Sequence, residues 1–320
     1  MNADKTIYGR FGTRSSRENA EQHMTSPGLE AALNGALAIH RDLENQRATL
    51  TNKQPVDSKF RSPDDYPSLA GKYTSDLAYQ GAVTKSCLHC HQVRDAERQI
   101  YRDAGKPIPD QLLFPYPLPS TIGMKMDPNS KGRIKSVITG SAADDSGLKT
   151  DDEILTIDGQ PILSIADIQW ALHQAPDAGR LKVTVLRDAR SLEKEIRLVN
   201  DWRSKNDISW RVTSWPLRRM GTGGLVFEPA TSAQRNEADI PLDRMALRVK
   251  RVGQYGPHAA AKRAGVKIGD IMINYDDQSD NWTTSQLLGY IGKHTRPGRR
   301  VKIVTVRDGQ QLKIYLPMQK

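Results

Sequence analysis

The sequence predicts an α+β multidomain chain, and two observations carry that prediction. One unit, ordered as strand, short Ala-rich helix, strand, helix and strand hairpin, occurs twice after about residue 118. Ahead of it stand two amphipathic helical segments separated by a polar, proline-spaced stretch. Each repeat is expected to close into a partly open β-barrel with two helices. The expected division is 1–46, 47–117, 118–200, 201–220 and 221–320. Apolar residues make up 37% and charged residues 26%, which fits a folded chain with polar connections rather than a disordered one. No apolar run reaches membrane-spanning length, so no transmembrane helix is expected.

The first stretch, Ile7-Tyr8-Gly9-Arg10-Phe11-Gly12, alternates as a strand with Ile7 and Phe11 on one face. Ser26 and Pro27 begin a helix. Leu29, Leu33, Leu37 and Leu43, with Ala32 and Ala36, give it an apolar stripe to about residue 45. His40 falls at the boundary of that stripe. Residues 46–86 are polar, carry Pro55, Pro63 and Pro67, and read as a linker or irregular wrap. A second helix follows, with Ser86 as N-cap, Val93, Ala96, Ile100 and Tyr101 on one face, and Gly105 and Pro107 as its stop. The run Leu112–Pro119 is too proline-rich for a regular helix; it either covers a cofactor edge or stiffens a connection.

The first repeat has a strand at 133–137 and a short helix in Ser141-Ala142-Ala143-Asp144-Asp145 stopped by Gly147. Strands follow at 152–157, 181–186 and 192–198, with a helix from Ser164 between them. The second has Ala259-Ala260-Ala261-Lys262-Arg263-Ala264-Gly265, strands at 269–274, 301–306 and 311–316, and a helix from about Thr284. Trp202, Trp210 and Trp215 lie between the repeats among arginines, and the expected role is to hold the two domains together.

Both cysteines stand in Ser86-Cys87-Leu88-His89-Cys90-His91, which reads Cys-x-x-Cys-His. That spacing suits covalent c-type haem attachment, with thioethers at Cys87 and Cys90 and His91 as axial ligand to the iron. Three other readings stay open: a redox disulfide, half a zinc site, and chance. No strand precedes the pair to make a βαβ redox motif, and no second pair completes four zinc ligands. For one haem c, Met124 or Met126 is the expected sixth ligand, with His23, Met24 and His173 behind them. The two methionines alternate at strand spacing, so a core or groove role competes.

The net charge is +10, but Arg248, Lys250 and Arg251, then Lys293, Arg296, Arg299, Arg300 and Lys302, are interleaved with carboxylates and form no aromatic-studded stripe. Nucleic acid is therefore not an expected partner. Met1-Asn2-Ala3-Asp4-Lys5 lacks the apolar stretch of a secretory signal, while haem c implies export. The expectation is a chain that starts late or is truncated.

Both repeats, through "SAADDSGLKTDDEILTIDGQPI" and "HAAAKRAGVKIGDIMINYDD", resemble the PDZ domains of bacterial extracytoplasmic trypsin-like proteases. The resemblance implies that extended strands or protein C-termini bind by strand addition, with a Φ-Gly-Φ loop taking the carboxylate. Ile122-Gly123-Met124 matches that loop in the first repeat, and Gly224-Leu225-Val226, with Gly for the first apolar residue, in the second. "NADKTIYGRFGTR" resembles the last hairpin of a thioredoxin-like domain. With the haem motif and the two repeats, the whole resembles an extracytoplasmic thioredoxin-like/PDZ family. The implied protein is periplasmic or otherwise extracytoplasmic, with a redox partner as well as a peptide partner. No Gly-x-Ser-Gly-Gly occurs and no room precedes residue 118 for a double barrel with His and Asp, so the chain is expected not to be an enzyme. The alternative is a haem-free scaffold, or a regulatory component of a serine protease system.

Overall fold

The computed structural model describes residues 1–16, 23–56, 58–73 and 87–319. The chain divides into two compact units, Met1–Asp57 with Phe114–Asn206, and Ser58–Leu113 with Asp207–Lys320. The consecutive segments expected from the sequence are thus regrouped: each repeat folds with a different part of the N-terminal half.

In the first unit, a two-stranded sheet pairs β1 (Met124–Met126) with β2 (Ile134–Val137). A four-stranded sheet runs in the order β4 (Gln160–Pro161), β3 (Glu153–Ile157), β5 (Gly179–Arg187), β6 (Arg190–Leu198). A bridge from Arg133 to Glu153 and a bond from the Ile134 N–H to the Asp152 carbonyl (2.8 Å) join the two sheets. The Ile165–Gln174 helix closes the barrel, capped by Ser164, and Ile165, Ile168 and Leu172 meet Met124, Ile154 and Val183 in one apolar core. Strands and helix lie within a residue or two of where alternation and capping put them, since both signals are local.

The N-terminal segment departs from expectation. Residues Ile7–Gly12 form no strand. The Ile7 N–H donates to Gln54 Oε1 (3.0 Å), and Gln54 Nε2 donates back to the Ile7 carbonyl (3.1 Å), so a side chain takes the place of a neighbouring strand. Tyr8, not Ile7 or Phe11, is the buried residue, with its hydroxyl 2.6 Å from His40 Nδ1. The helix runs Ser26–Arg41 behind an N-cap at Thr25, then Leu43–Gln46. Its buried positions include Ala32 and Ile39, whereas Leu29, Leu33 and Leu37 are exposed. The stripe predicted the helix and not its packing face.

In the second unit, one five-stranded sheet runs β11 (Gln310–Pro317), β10 (Arg300–Arg307), β9 (Ile271–Tyr275), β8 (Leu247–Arg251), β7 (Val226–Pro229). The Thr284–His294 helix sits where Ile165–Gln174 sits in the first repeat, with Thr283 as cap. The stretch expected as a Trp/Arg linker contains the Ser214–Thr222 helix. The Cys90–Asp103 helix is fixed by two buried arginines. Arg98 donates to the carbonyls of Leu112 (2.9 Å), Leu113 (3.1 Å) and Thr213 (2.6 Å). Arg102 donates to those of Gln319 (2.8 Å), Met220 (3.2 Å, in the last turn of the Ser214–Thr222 helix) and Thr295 (3.4 Å, the C-cap of the Thr284–His294 helix). Burial lowers both guanidinium pKa values to about 10. Val93, Ala96 and Ile100 pack with Tyr66 and Leu69, as their common face predicts. The tryptophans are engaged within their own units: Trp202 donates to the Pro176 carbonyl (3.1 Å) in the first, and Trp215 stands edge-on to His258 in the second.

A buried clamp recurs in both repeats. Arg187 grips Asp152 through two bonds (2.6 and 2.7 Å) and the Gly147 carbonyl (2.8 Å). Arg307 grips Asp270 (2.7 and 2.7 Å) and the Gly265 carbonyl (2.8 Å) in the same way. In each, a lysine N–H, of Lys149 or Lys267, donates to the same carboxylate at 2.9 Å. The pattern Gly-Φ-Lys-x-x-Asp with a distant Arg-Asp encodes it.

Candidate functional site

The turn ahead of β1 is built by Pro119–Ile122 in a 3-10 turn that ends at Gly123, whose φ is +98°. No side chain fits there: a Cβ on Gly123 would lie 1.9 Å from Ser141 Oγ. Ile122 and Met124 anchor the turn in the core, and Gly123 presents its backbone. The Ile138 N–H donates to the Gly123 carbonyl (2.9 Å), so residue 123 bonds toward β2. Antiparallel alternation then aims the backbone groups of Met124 and Met126 away from β2, onto an edge with no strand paired to it among the described residues. Gly123 donates its own N–H to the Ser120 carbonyl at 3.1 Å. One of the donors expected to meet a carboxylate is therefore already engaged, while the strand edge is unpaired.

The second repeat has the same turn, one residue away from the expected register. Gly224, φ +88°, takes the place of Gly123: the Gly253 N–H donates to its carbonyl at 3.1 Å, and a Cβ would lie 2.1 Å from the His258 carbonyl oxygen. The turn is thus Gly223-Gly224-Leu225, not Gly224-Leu225-Val226. The shift by one residue comes from the adjacent Gly223 and Gly224, and the Gly253 bond to the Gly224 carbonyl sets the register.

The Cys-x-x-Cys-His stretch lies in the second unit. The expected cap Ser86 falls outside the described residues; His89 is the last extended residue, and its N–H is bonded by Gln92 Oε1 at 2.6 Å. Cys90 is the first helical residue and is exposed, Cys87 precedes the helix half-buried, and both thiols are free. His91 turns Nδ1 toward Asp95 Oδ2 (3.8 Å), which leaves Nε2 on the other side of the ring. Burial pushes the Asp95 carboxyl up to about 7, opposed by Arg98, Arg219 and Arg94. Two free thiols and an adjacent imidazole are the residue types that a covalent haem would use, and no hydrogen bond from Asp95 fixes the His91 ring at 3.8 Å. Met124 and Met126 do not fit as the sixth ligand, since both side chains are packed inside the apolar core of the first unit. His23, Met24 and His173 also belong to the first unit, and the His173 ring lies 4.4 Å from that of Tyr116. Among the described residues no helix is long and apolar enough to cross a membrane, and no group of three or more His, Cys, Asp or Glu is placed to hold a metal ion.

Residues 120–198 match the family model for the PDZ domain, so the first repeat is a PDZ domain. Two proteins named probable periplasmic serine endoprotease DegP-like are similar in sequence. The one from Pseudomonas savastanoi pv. phaseolicola is 22% identical over 58% of this chain and 37% of its own length. The one from Rickettsia conorii is 22% identical over 49% and 31%. The chain spans about a third of the length of these relatives. Among solved structures, the HtrA-type protease AlgW with decapeptide aligns with a TM-score of 0.27 at 16% identity, over 43% of this chain and 41% of that one.

Proposed function

We propose that this chain is a non-enzymatic, extracytoplasmic interaction protein whose PDZ domain takes up an extended peptide as a strand along β1, in the manner of a scaffold or of a regulatory component in a serine protease system. The unpaired backbone edge of Met124 and Met126, beside the Gly123 turn, carries this reading. Main-chain bonds to that edge supply affinity, and alternate side chains of the peptide supply selection. The periplasmic assignment of the similar endoproteases supports the location. The test is amide hydrogen exchange, residue by residue, with a decapeptide selected from a peptide library for binding to this chain. Slowed exchange at Met124 and Met126 is the expected outcome. Tight binding with no change at these amides would sink the strand-addition reading.

A second reading, covalent haem c at Cys87 and Cys90 with His91 as axial ligand, is favoured by the free thiols and the adjacent imidazole. Such a haem would supply one-electron chemistry, and a redox partner would come with it. Export through a host competent for cytochrome c maturation, followed by haem staining and a pyridine haemochrome spectrum, decides it. A covalent band lost in Cys87→Ser supports it, and fully folded exported protein without haem removes it.

A further inference from the structure

A cavity of about 380 Å³ opens in the second unit, and neither β7 nor the Thr284–His294 helix lines it. It is therefore distinct from the strand edge of that repeat. Its walls come from the Cys90–Asp103 helix, the Ser214–Thr222 helix, residues 68–73 and His258. The apolar part is made by Leu69, Ala96 and Met220, all buried, with Trp215 left 37% exposed at the side. The polar part is cationic. Arg219 is half-buried on this wall and makes no hydrogen bond or ion pair with any described residue, and Lys72 adds a second positive charge. His258 Nδ1 is buried there without a hydrogen-bond partner. Burial, and then Arg219, pull the His258 pKa down, so its ring is neutral at pH 7 and offers a neutral N–H or lone pair. The single carboxylate on the wall, Asp95, stands nearest Arg98 (3.6 Å) and His91 and acts on Arg219 only through space, with no direct bond between them.

We propose that this cavity is a binding site for a small aromatic carboxylate, with Arg219 as its counter-cation and Trp215 and Leu69 against its ring. A half-buried guanidinium that feels Asp95 only at a distance and makes no direct bond to an anion has lost part of its hydration, and a carboxylate in the cavity restores that loss with a paired, charge-assisted bond. The volume falls in the range of small-molecule sites, which combine apolar walls with a few convergent polar groups. Buried neighbours on two helices make the cavity preformed, so little ordering opposes binding.

Phenylacetate and its neutral isostere phenylacetamide are the probes, titrated calorimetrically into the purified full chain. Phenylacetate is expected to bind, and phenylacetamide at least 10-fold more weakly. Arg219→Gln is expected to weaken phenylacetate at least 10-fold and leave phenylacetamide unchanged. Equal affinity for the two probes, or no phenylacetate binding at millimolar concentration, overturns the proposal without any variant. A Phe-ending tripeptide, with free or amidated C-terminus, separates a free acid from a peptide terminus as the natural source. The proposal is independent of the strand edge: peptide protection of Met124 and Met126 stands or falls separately.

Discussion

In the first repeat, the Ile165–Gln174 helix is covered by charge. Lys53 and Asp167, both fully buried, pair at 2.7 Å; the Arg10 guanidinium lies 3.7 Å from the Trp170 ring; and Trp170 Nε1 donates to the Asn52 carbonyl (2.8 Å). In the second repeat, the equivalent Thr284–His294 helix has no fully buried ion pair among the described residues: its one pair to the covering chain, Lys293 with Asp110 (3.1 Å), is partly open to solvent, and backbone and apolar groups do the rest. The Ile108 N–H donates to the Gly292 carbonyl (3.1 Å), and Gly292 leaves no room beside Leu113 for a Cβ, which would lie 2.5 Å from Cδ2. The buried arginines there bond to carbonyls, and Arg98 meets its carboxylate, Asp95, only at 3.6 Å. One skeleton has thus been closed in two ways. The difference teaches that the clamp, turn and strands belong to the repeat, while the covering belongs to whatever chain happens to be laid on it.

The largest expected effect breaks the charged covering. Burial pushes the Asp167 carboxyl up and the Lys53 amine down, and the attraction between the two groups opposes both shifts. Lys53→Met leaves a buried carboxylate with its ammonium gone, at a cost of about 3–5 kcal/mol. Lys53→Met with Asp167→Asn is expected to recover part of that loss, because the charge is gone and one acceptor for the Arg10 and Leu163 N–H groups is kept. Urea denaturation followed by hydrogen exchange in residues 124–198 reads it, and equal losses in the single and double variants would refute the pairing argument. In the other unit, Arg102→Met leaves the Gln319 carbonyl without its donor, while Met220 keeps the Gln319 N–H and Thr295 keeps Arg296, and is expected to cost about 1–3 kcal/mol. The loss should appear in residues 207–319 and spare 124–198; a uniform loss would contradict the separation into two units.

The matched turns give a smaller and sharper contrast. Gly123→Ala and Gly224→Ala both force a left-handed conformation on an L-residue, at roughly 1–2 kcal/mol. The added methyl meets a serine side chain in the first repeat and a backbone carbonyl in the second. Ser141→Gly should therefore rescue part of the Gly123→Ala loss, and no single side-chain change should rescue Gly224→Ala. Thermal melts of the paired variants check this, and rescue of neither would show that φ alone sets the cost.

What could be read from the sequence follows the same division. Period-two strands, the Ser164 cap and the Gly123 turn are written within a few residues of one another, and the structure has them. The covering was not readable. Nothing local tells that Arg98 and Arg102 will seek carbonyls more than a hundred residues away, at Thr213 and Gln319. Nor does anything local tell that Ile7 will bond to Gln54 rather than to a strand, which is why a thioredoxin-like hairpin was a reasonable expectation for residues that form none. At the candidate sites the spacing of Cys87, Cys90 and His91 was legible, whereas the Arg219 cavity is assembled from four separate stretches and leaves no motif.

The smallest effect tests whether the clamp is shared in energy as well as in geometry. Burial alone would raise the Asp152 carboxyl; the Arg187 bonds and the Lys149 N–H outweigh it and hold the group below its usual range. A carboxylate with a depressed folded pKa contributes stability above its unfolded value, near 4, and loses it as pH falls through the folded value. Arg187 is partly open to solvent, so the contribution is about 1 kcal/mol. Arg187→Met should therefore lower the urea midpoint at pH 7 and leave it nearly unchanged at pH 2. Because Arg307 and Asp270 repeat the geometry, Arg307→Met should lower the midpoint of its own unit at pH 7 by a similar amount. A cost that stays constant between pH 7 and pH 2 would mean that the arginine stem, packed along the barrel wall, and not its charge, is what the repeat retains.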